Sequence, residues 1–356
     1  MLTYRQQFLP LTARTKGFAL VLVLWVLSLL SLMSGSFAVS MRRETSITEG
    51  TKSNAQAIAV AESGVAIAEY MMVGTQTDSI NADQDKSWRA DGGIYQINYG
   101  HNGTGSGNTL VRIRMFAETG KIDINQADAK LLRALFMRAP LPKQDRKNPI
   151  DPRIRAAKLA AAVLDWRDGD DTVSPEGAEK PEYRAAGLKY QPRNRGFQNI
   201  EELQMVMGMD AETFQWLEPL ITVYSGQAQV DKTASREVLS VLPGVDAGVI
   251  EQFLLARLES AKFSRPLKFP LSSTYINGAE GSDVAQSSAI TIISEAKLPD
   301  GSRAAVAALV MKSDLDPLVP FQTLKWQRSY GNEISLFSTT MNGLVVAQYN
   351  EPQFYD

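Results

Sequence analysis

The spacing of apolar residues divides the chain into blocks of different period. From Phe18 to Met41 there are 24 residues without a charge, FALVLVLWVLSLLSLMSGSFAVSM. Unbroken apolarity of that length predicts an α-helix of about 36 Å, enough to cross a ~30 Å hydrocarbon core. The stretch from Arg42 to Val73 has no proline, and Ile58, Ala61, Val65, Ala68 and Met72 keep helical spacing along one face. One helix over 18–73 is the economical reading, amphipathic in its second half, with Gly64 a weak point and Gly74 its end. The period then falls to two. Residues 94–99 and 110–116 alternate as strands around a Gly/Asn-rich hairpin loop, His101 within it.

From Lys121 to about Ala285 the pattern becomes short amphipathic helices and loops, and three segments look alike. Ile122-Asp-Ile-Asn-Gln-Ala-Asp leads into a helix with Leu131, Leu132 and Leu135. Phe197-Gln-Asn-Ile-Glu-Glu-Leu leads to Met207-Gly208-Met209 and a helix ending near Tyr224. Val230-Asp-Lys-Thr-Ala-Ser leads to Leu242-Pro243-Gly244-Val245 and a helix with Ile250, Phe253 and Leu254. These are similar to helix-hairpin-helix units, in which a glycine-containing turn joins two short helices. Strands return at 289–295 and 303–312, around the turn Leu298-Pro-Asp-Gly-Ser302, and at 321–328. Residues 334–347 are apolar enough to be ordered, and the tail from Gln348 is expected not to be. Neither strand block can bury a sheet face alone. Residues 74–120 and 286–356 are therefore expected to form one α+β domain, a long N-terminal helix on an antiparallel sheet, interrupted by a large all-α insert at 121–285.

Charge and composition narrow the chemistry. The net charge is −2 over 356 residues, cysteine is absent, and His101 is the single histidine. Disulfides, thiolate sites and multi-histidine zinc sites are excluded, and a Ser-His-Asp hydrolase would have to use His101, which reads as a turn residue. The chain is expected not to be an enzyme. The insert holds 22 Lys/Arg against 23 Asp/Glu. Nucleic-acid binding draws on a basic surface, so the hairpins read as a packing module and no nucleic acid is expected.

One loop concentrates acid. Asp165, Asp168, Asp170, Asp171, Glu176, Glu179 and Glu182 fall within 165–182, against Arg167 and Lys180, after a helix expected from Pro152. The residues leave two readings open: a solvated acidic loop, or a divalent-cation site of hard oxygen ligands suited to Ca²⁺. Self-repulsion disfavours a compact cation-free loop, and Trp166 and Tyr183 stand at its ends as anchors. Asp168, Asp170 and Glu179 are the first-choice ligands, with Asp165, Asp171 and Glu176 in support. The spacing does not match an EF-hand.

A leader carrying Arg5, Arg14 and Lys16 precedes Gly17 and Phe18. A secretory signal peptide shares this plan, but its apolar core is shorter, about 7–15 residues. Lys16-Gly17-Phe18 before an unbroken apolar helix resembles the type IV pilin and pseudopilin class. That resemblance implies cleavage after Gly17 by a prepilin peptidase, methylation of Phe18, and retention of the helix as a single-pass inner-membrane anchor with the remainder periplasmic. Positive charges on the two sides balance, so orientation rests on the resemblance alone. The fifth mature position, glutamate in most of the class, is Leu22. With the Asp123-Ile-Asn-Gln-Ala lead-in and the acidic loop, this is similar to the K-type minor pseudopilins of type II secretion. The resemblance implies a non-catalytic role at the pseudopilus tip in exporting folded proteins. Other minor pseudopilins of the I and J types, the peptidase and secreted proteins are the implied partners, and calcium the implied ion. The alternative is a type IV pilus or DNA-uptake minor pilin whose hairpins contact nucleic acid.

Overall fold

The structure is a computed structural model; it describes residues 18–77, 88–99, 108–142, 151–263, 267, 273–277, 289–313, 319–329 and 335–350. Gly17, His101 and the hairpin loop around it therefore lie outside the described residues. The chain divides into two compact units, Met1–Gln56 and Ala57–Asp356. A single helix, α1 (Phe18–Thr77), contributes to both. Its span runs past Gly74, because a lone glycine costs only about 1 kcal/mol in a helix and does not by itself stop one. In the first unit α1 is long and apolar enough to cross a membrane, and no side chain from Phe18 to Lys52 is buried.

In the second unit the strands form one six-stranded sheet in the order β7-β6-β5-β2-β1-β8. The strands are β1 (Asp91–Tyr99), β2 (Thr109–Ala117), β5 (Ala289–Lys297), β6 (Arg303–Lys312), β7 (Phe321–Ser329) and β8 (Val345–Asn350). Both sequence blocks share this sheet: β2 pairs antiparallel with β5 from Leu110↔Lys297 to Ala117↔Ile290. The sheet is mixed, not purely antiparallel, since β8 runs parallel to β1. A short helix, α8 (Thr339–Asn342), delivers β8, whose pairing extends order to Asn350, beyond the expected end at 347. Alternate residues of β2 and β6, Val111, Ile113, Met115 and Val306, Ala308, Val310, face Ala61, Val65 and Ala68 of α1 in one core. The buried stripe of α1 begins at Ala57, one residue before the expected Ile58. Gly64 lies on that stripe, where an added Cβ would stand 2.2 Å from Ser294 Oγ.

The insert leaves the sheet after β2 and has its own core, from Ile122 to Ile276. It contains α2 (Ala129–Arg138), α3 (Pro152–Arg167), α4 (Lys180–Ala185), α5 (Ala211–Leu217), α6 (Arg236–Val241) and α7 (Ala247–Phe263). Side chains cap several of these as their sequences predict: Asp128 Oδ1 accepts from Leu131 N–H at 2.7 Å and Asp210 Oδ1 from Thr213 N–H at 2.9 Å. The insert is not wholly α-helical. Strands β3 (Ile122–Asp123) and β4 (Ile221–Thr222) pair in parallel, so the helix expected to reach Tyr224 stops at Leu217. Two of the three similar segments carry a left-handed turn glycine, Gly208 (φ 83°) and Gly244 (φ 78°). The first helix before such a turn, at Ile200–Met205, is a 3₁₀ helix.

Polar contacts join insert and sheet. Asp231 N–H donates to Thr119 O, and Thr119 Oγ1 donates to Asp231 Oδ2 at 2.7 Å. At the edge strand β7, Lys325 Nζ lies 2.7 Å from Glu201 and 3.4 Å from Glu218 of the insert. The Glu201 carboxyl is held below its usual range: burial pushes it up, and the Lys325 hydrogen bond and charge more than offset that.

Candidate functional site

The acidic loop is built between two helix ends. Helix α3 packs Ala156, Leu159, Ala160, Val163 and Trp166 into the insert core, which puts Asp165 inside and Asp168 at the C-cap. Trp166 is fully buried and stacks on Phe197 at 6.2 Å between ring centroids, with Tyr183 6.0 Å away on its other contact. Tyr183 in turn accepts a hydrogen bond from Met207 N–H at 2.8 Å, and both anchors expected at the loop's ends are buried. Helix α4 then begins with Glu179 as its N-cap, whose N–H donates to Glu182 Oε2 at 2.9 Å.

These restraints bring carboxylates together in an unusual state of burial. Asp165 is 0% exposed and Glu179 1% exposed. Asp165 Oδ1, Asp168 Oδ1 and both Glu179 oxygens are buried without a hydrogen-bond partner. A buried, unpaired carboxylate oxygen is strongly unfavourable. The Glu179 carboxyl is pushed up to about 7, first by burial and then by the charges of Asp165, Asp168, Asp171 and Asp170. Asp168 is raised as well, by burial and then by Asp170 and Asp165, with Arg167 acting the other way. As the side chains stand, no three His, Asp or Glu groups among the described residues converge closely enough to hold an ion. The orphaned oxygens lack partners of the kind a hard cation would supply, and such a charge would cancel their repulsion.

The six residues singled out in the sequence differ in their placement. Asp165, Asp168 and Glu179 form the buried centre, and Asp170 and Asp171 lie on the exposed side of the loop and bear on Glu179 electrostatically. Asp170 Oδ1 accepts from Thr172 N–H at 2.7 Å. Glu176 is exposed at φ 66° and is not among the charges that raise Glu179. Phe18 opens α1 and is exposed.

Asn194 and Gly177 shape the loop and escaped the sequence reading, and Arg167 is placed differently from it. Asn194, at φ 50°, donates from its amide to Asp170 O at 2.7 Å and Asp171 Oδ1 at 2.9 Å. Its one local signal is that asparagine tolerates the left-handed region. Gly177 lets the backbone close over Asp165, since a Cβ there would stand 2.0 Å from Asp165 Oδ2. Arg167, expected as a counter-charge, turns away: its guanidinium donates to Ile124 O and, at 2.6 Å, to Ala127 O of the Asp123–Ala127 lead-in. Only long-range packing brings residues 124–127 to that position.

Residues 108–226 match the family model described as type II secretion system (T2SS), protein K. The chain is similar to type II secretion system protein K of Klebsiella pneumoniae, 26% identical over 65% of this chain and 68% of the relative. The proteins of the same name from Pectobacterium carotovorum subsp. carotovorum and Dickeya chrysanthemi are 37% and 34% identical. Those matches cover 21% and 26% of this chain, and 23% and 24% of the relatives. A chain in the crystal structure of the GspK-GspI-GspJ complex from enterotoxigenic Escherichia coli is 16% identical. It aligns over 80% of this chain and 99% of its own length, with a TM-score of 0.47. The family model falls on the stretch from β2 to β4, which contains the lead-in, the α2–α3 hairpin and the acidic loop. The family model and the curated relatives thus bear out the resemblance to the protein K family of type II secretion systems.

Proposed function

We propose that the chain is made as a precursor, cut by a prepilin peptidase after Gly17 and methylated on Phe18. Helix α1 then holds the mature protein in the inner membrane with its C-terminal domain in the periplasm. There it acts without catalysis, at the tip of the pseudopilus, in exporting folded proteins. The observation that carries this reading is the charge-free run from Phe18 to Met41, with Leu22 where the wider pilin class has glutamate. A carboxylate in hydrocarbon is tolerated only with a partner. A tip subunit has no neighbour above it whose amine needs one, and the bulky insert would obstruct stacking within a fibre. The partners proposed are minor pseudopilins of the I and J types, meeting the apolar half of α1.

The acidic loop is read as a Ca²⁺ site that orders the insert. Asp165, Asp168 and Glu179 would hold the ion, with Asp170 and Asp171 in support. The ion supplies positive charge and no chemistry; the chain's own contribution is to bury and orient the oxygens through Trp166, Tyr183 and Asn194.

N-terminal sequencing of protein from cells with an active prepilin peptidase tests the processing. The expected first residue is methylated Phe18, and Gly17→Val is expected to leave a full-length precursor that fails to restore secretion. A mature terminus after residue 34 or beyond would mean an ordinary signal peptide and would overturn the reading. Co-purification of the wild-type protein with I- and J-type pseudopilins from detergent extracts tests the partners; its failure would remove the tip assignment.

A further inference from the structure

The insert's near-neutral total conceals a segregation of charge. Acid collects at the 165–182 loop, while the α2–α3 hairpin carries Lys130, Arg133, Arg138, Arg153, Arg155 and Lys158. Among the described residues, the acids on that hairpin outside the loop are its two N-caps, each engaged: Asp128 by Leu131 N–H and the Tyr275 hydroxyl, Asp151 by Arg153 N–H at 2.8 Å. Arg155 is buried and paired with Asp210 at 2.6 Å. Lys130, Arg133, Arg138, Arg153 and Lys158 are exposed and form no side-chain ion pair among the described residues. Arg155 Nη1 reaches Pro140 O at 3.3 Å, which ties the end of α2, with Arg138, to the start of α3, with Arg153; Arg133 and Lys158 lie further along the two helices. Arg153 also lies in the first turn of α3 and opposes the positive end of its dipole, where the N-cap Asp151 is the one neighbouring acid among the described residues.

Three large apolar side chains are exposed in the same region: Met137 at 43%, Leu141 at 46% and Ile154 at 49%. No exposed aromatic residue accompanies them on α2 or the first turns of α3. Single-stranded nucleic acid recognition leans on aromatic stacking platforms, which this surface lacks. Cations interleaved with aliphatic side chains instead match the headgroup layer of an anionic bilayer, where the cations meet phosphates and the aliphatic tips enter the acyl boundary. The chain carries its own candidate membrane span in α1. Tethering raises the local lipid concentration for any surface able to reach the bilayer. We propose that the exposed face of the α2–α3 hairpin docks on anionic phospholipid headgroups. This rests on the reading of α1 as an anchor and is independent of the cation site.

The absence of cysteine allows a unique label. The full chain carrying Met137→Cys, modified with an environment-sensitive fluorophore, is reconstituted in nanodiscs of phosphatidylcholine alone or of an equal mixture with phosphatidylglycerol. A label at Gln327→Cys on exposed β7 serves as the control position. Reconstitution itself reports on anchoring, so a chain that fails to enter nanodiscs overturns the anchor reading rather than the docking. The expected result is a blue-shifted emission and about a threefold or larger drop in iodide quenching at position 137 with phosphatidylglycerol only, reversed by high salt, since surface charge attraction is screened. Arg133→Glu with Arg138→Glu and Lys158→Glu should abolish it with the far-UV spectrum unchanged. Should that triple variant misfold, Arg138→Gln with Lys158→Gln is expected to weaken the response about tenfold or more in lipid titration. An equal response in both lipids, or none in either, overturns the proposal. A response to duplex DNA or to an acidic protein in phosphatidylcholine discs, without one to phosphatidylglycerol, transfers the surface to that class and also overturns it.

Discussion

Gly64 offers the sharpest test of how α1 is held on the sheet. A Cβ at this position would stand 2.2 Å from Ser294 Oγ, 2.9 Å from Val111 Cγ1 and 3.2 Å from Ser294 Cβ. Non-bonded carbon contacts are optimal at about 3.5–4.0 Å, so the Gly64→Ala methyl cannot enter without movement. Either Ser294 and Val111 shift within a packed core, or α1 retreats by roughly 1 Å. A gap of about 0.5–1 Å forfeits a quarter to a half of each dispersion contact, here along Ala61, Val65 and Ala68. Alanine gains about 1 kcal/mol of helix propensity over glycine, and overpacking typically costs about 1–3 kcal/mol. The expected balance is a loss of about 1–2 kcal/mol for Gly64→Ala, and about 4 kcal/mol for the bulkier, β-branched Gly64→Val. Ser294 Oγ is buried without a partner, so Ser294→Ala alone is expected to be near neutral. Combined with Gly64→Ala it removes the closest clash, so the double variant should recover much of the loss, a coupling that a double-mutant cycle measures. Urea denaturation of residues 42–356 is the assay, with the midpoint falling and the slope unchanged. Gly64→Ala as stable as wild type would mean that helix propensity alone operates there, and the close approach would be refuted.

Calcium at one hundred times its Kd is expected to stabilise residues 42–356 by about 2.7 kcal/mol, and magnesium by less, because magnesium resists dehydration. Asp165→Asn with Glu179→Gln should abolish that shift, and identical melting curves with calcium and with chelator would sink the cation site. Without the ion, the Glu179 carboxyl sits at about 7 in the folded protein against an ordinary 4.5, so the folded state keeps its proton longer than the unfolded one. Stability in chelator should therefore fall as pH rises from about 4.5 to 7, by at most about 3 kcal/mol, and level off above. Glu179→Gln is expected to flatten that profile; an unchanged slope would remove Glu179 as its source. Gly244 stands at φ 78° with open space around a would-be Cβ, so Gly244→Val acts through backbone strain alone. A loss of about 1–2 kcal/mol is expected, and clearly less for Gly244→Asn; equal effects of the two would contradict a left-handed turn.

Local physics was legible in the chain itself. The apolar run of α1 announces its helix by length and period, and Pro299-Asp300-Gly301 announces the β5–β6 turn because only glycine readily takes the φ of 89° found at Gly301. Asp128, Asp151, Asp210 and Ser235 mark helix starts because a short polar side chain reaches the free N–H groups two or three residues on. The acidic loop was visible as composition, and its anchors Trp166 and Tyr183 as large apolar rings beside it. What composition could not distinguish was a solvated loop from a buried one. Only the packing of α3 into the insert core takes Asp165 out of water, and only the start of α4 does so for Glu179. Pairings across long stretches of sequence were equally hidden: β8 parallel to β1, β3 with β4, Asn194 on Asp170, and Arg167 on the carbonyls of Ile124 and Ala127. Gly64 shows the reason most plainly. In sequence it is a poor helix former, because propensity depends on the residue and its own turn. In the folded protein it is the point where α1 touches Ser294, because contact depends on what the whole chain brings to the other side.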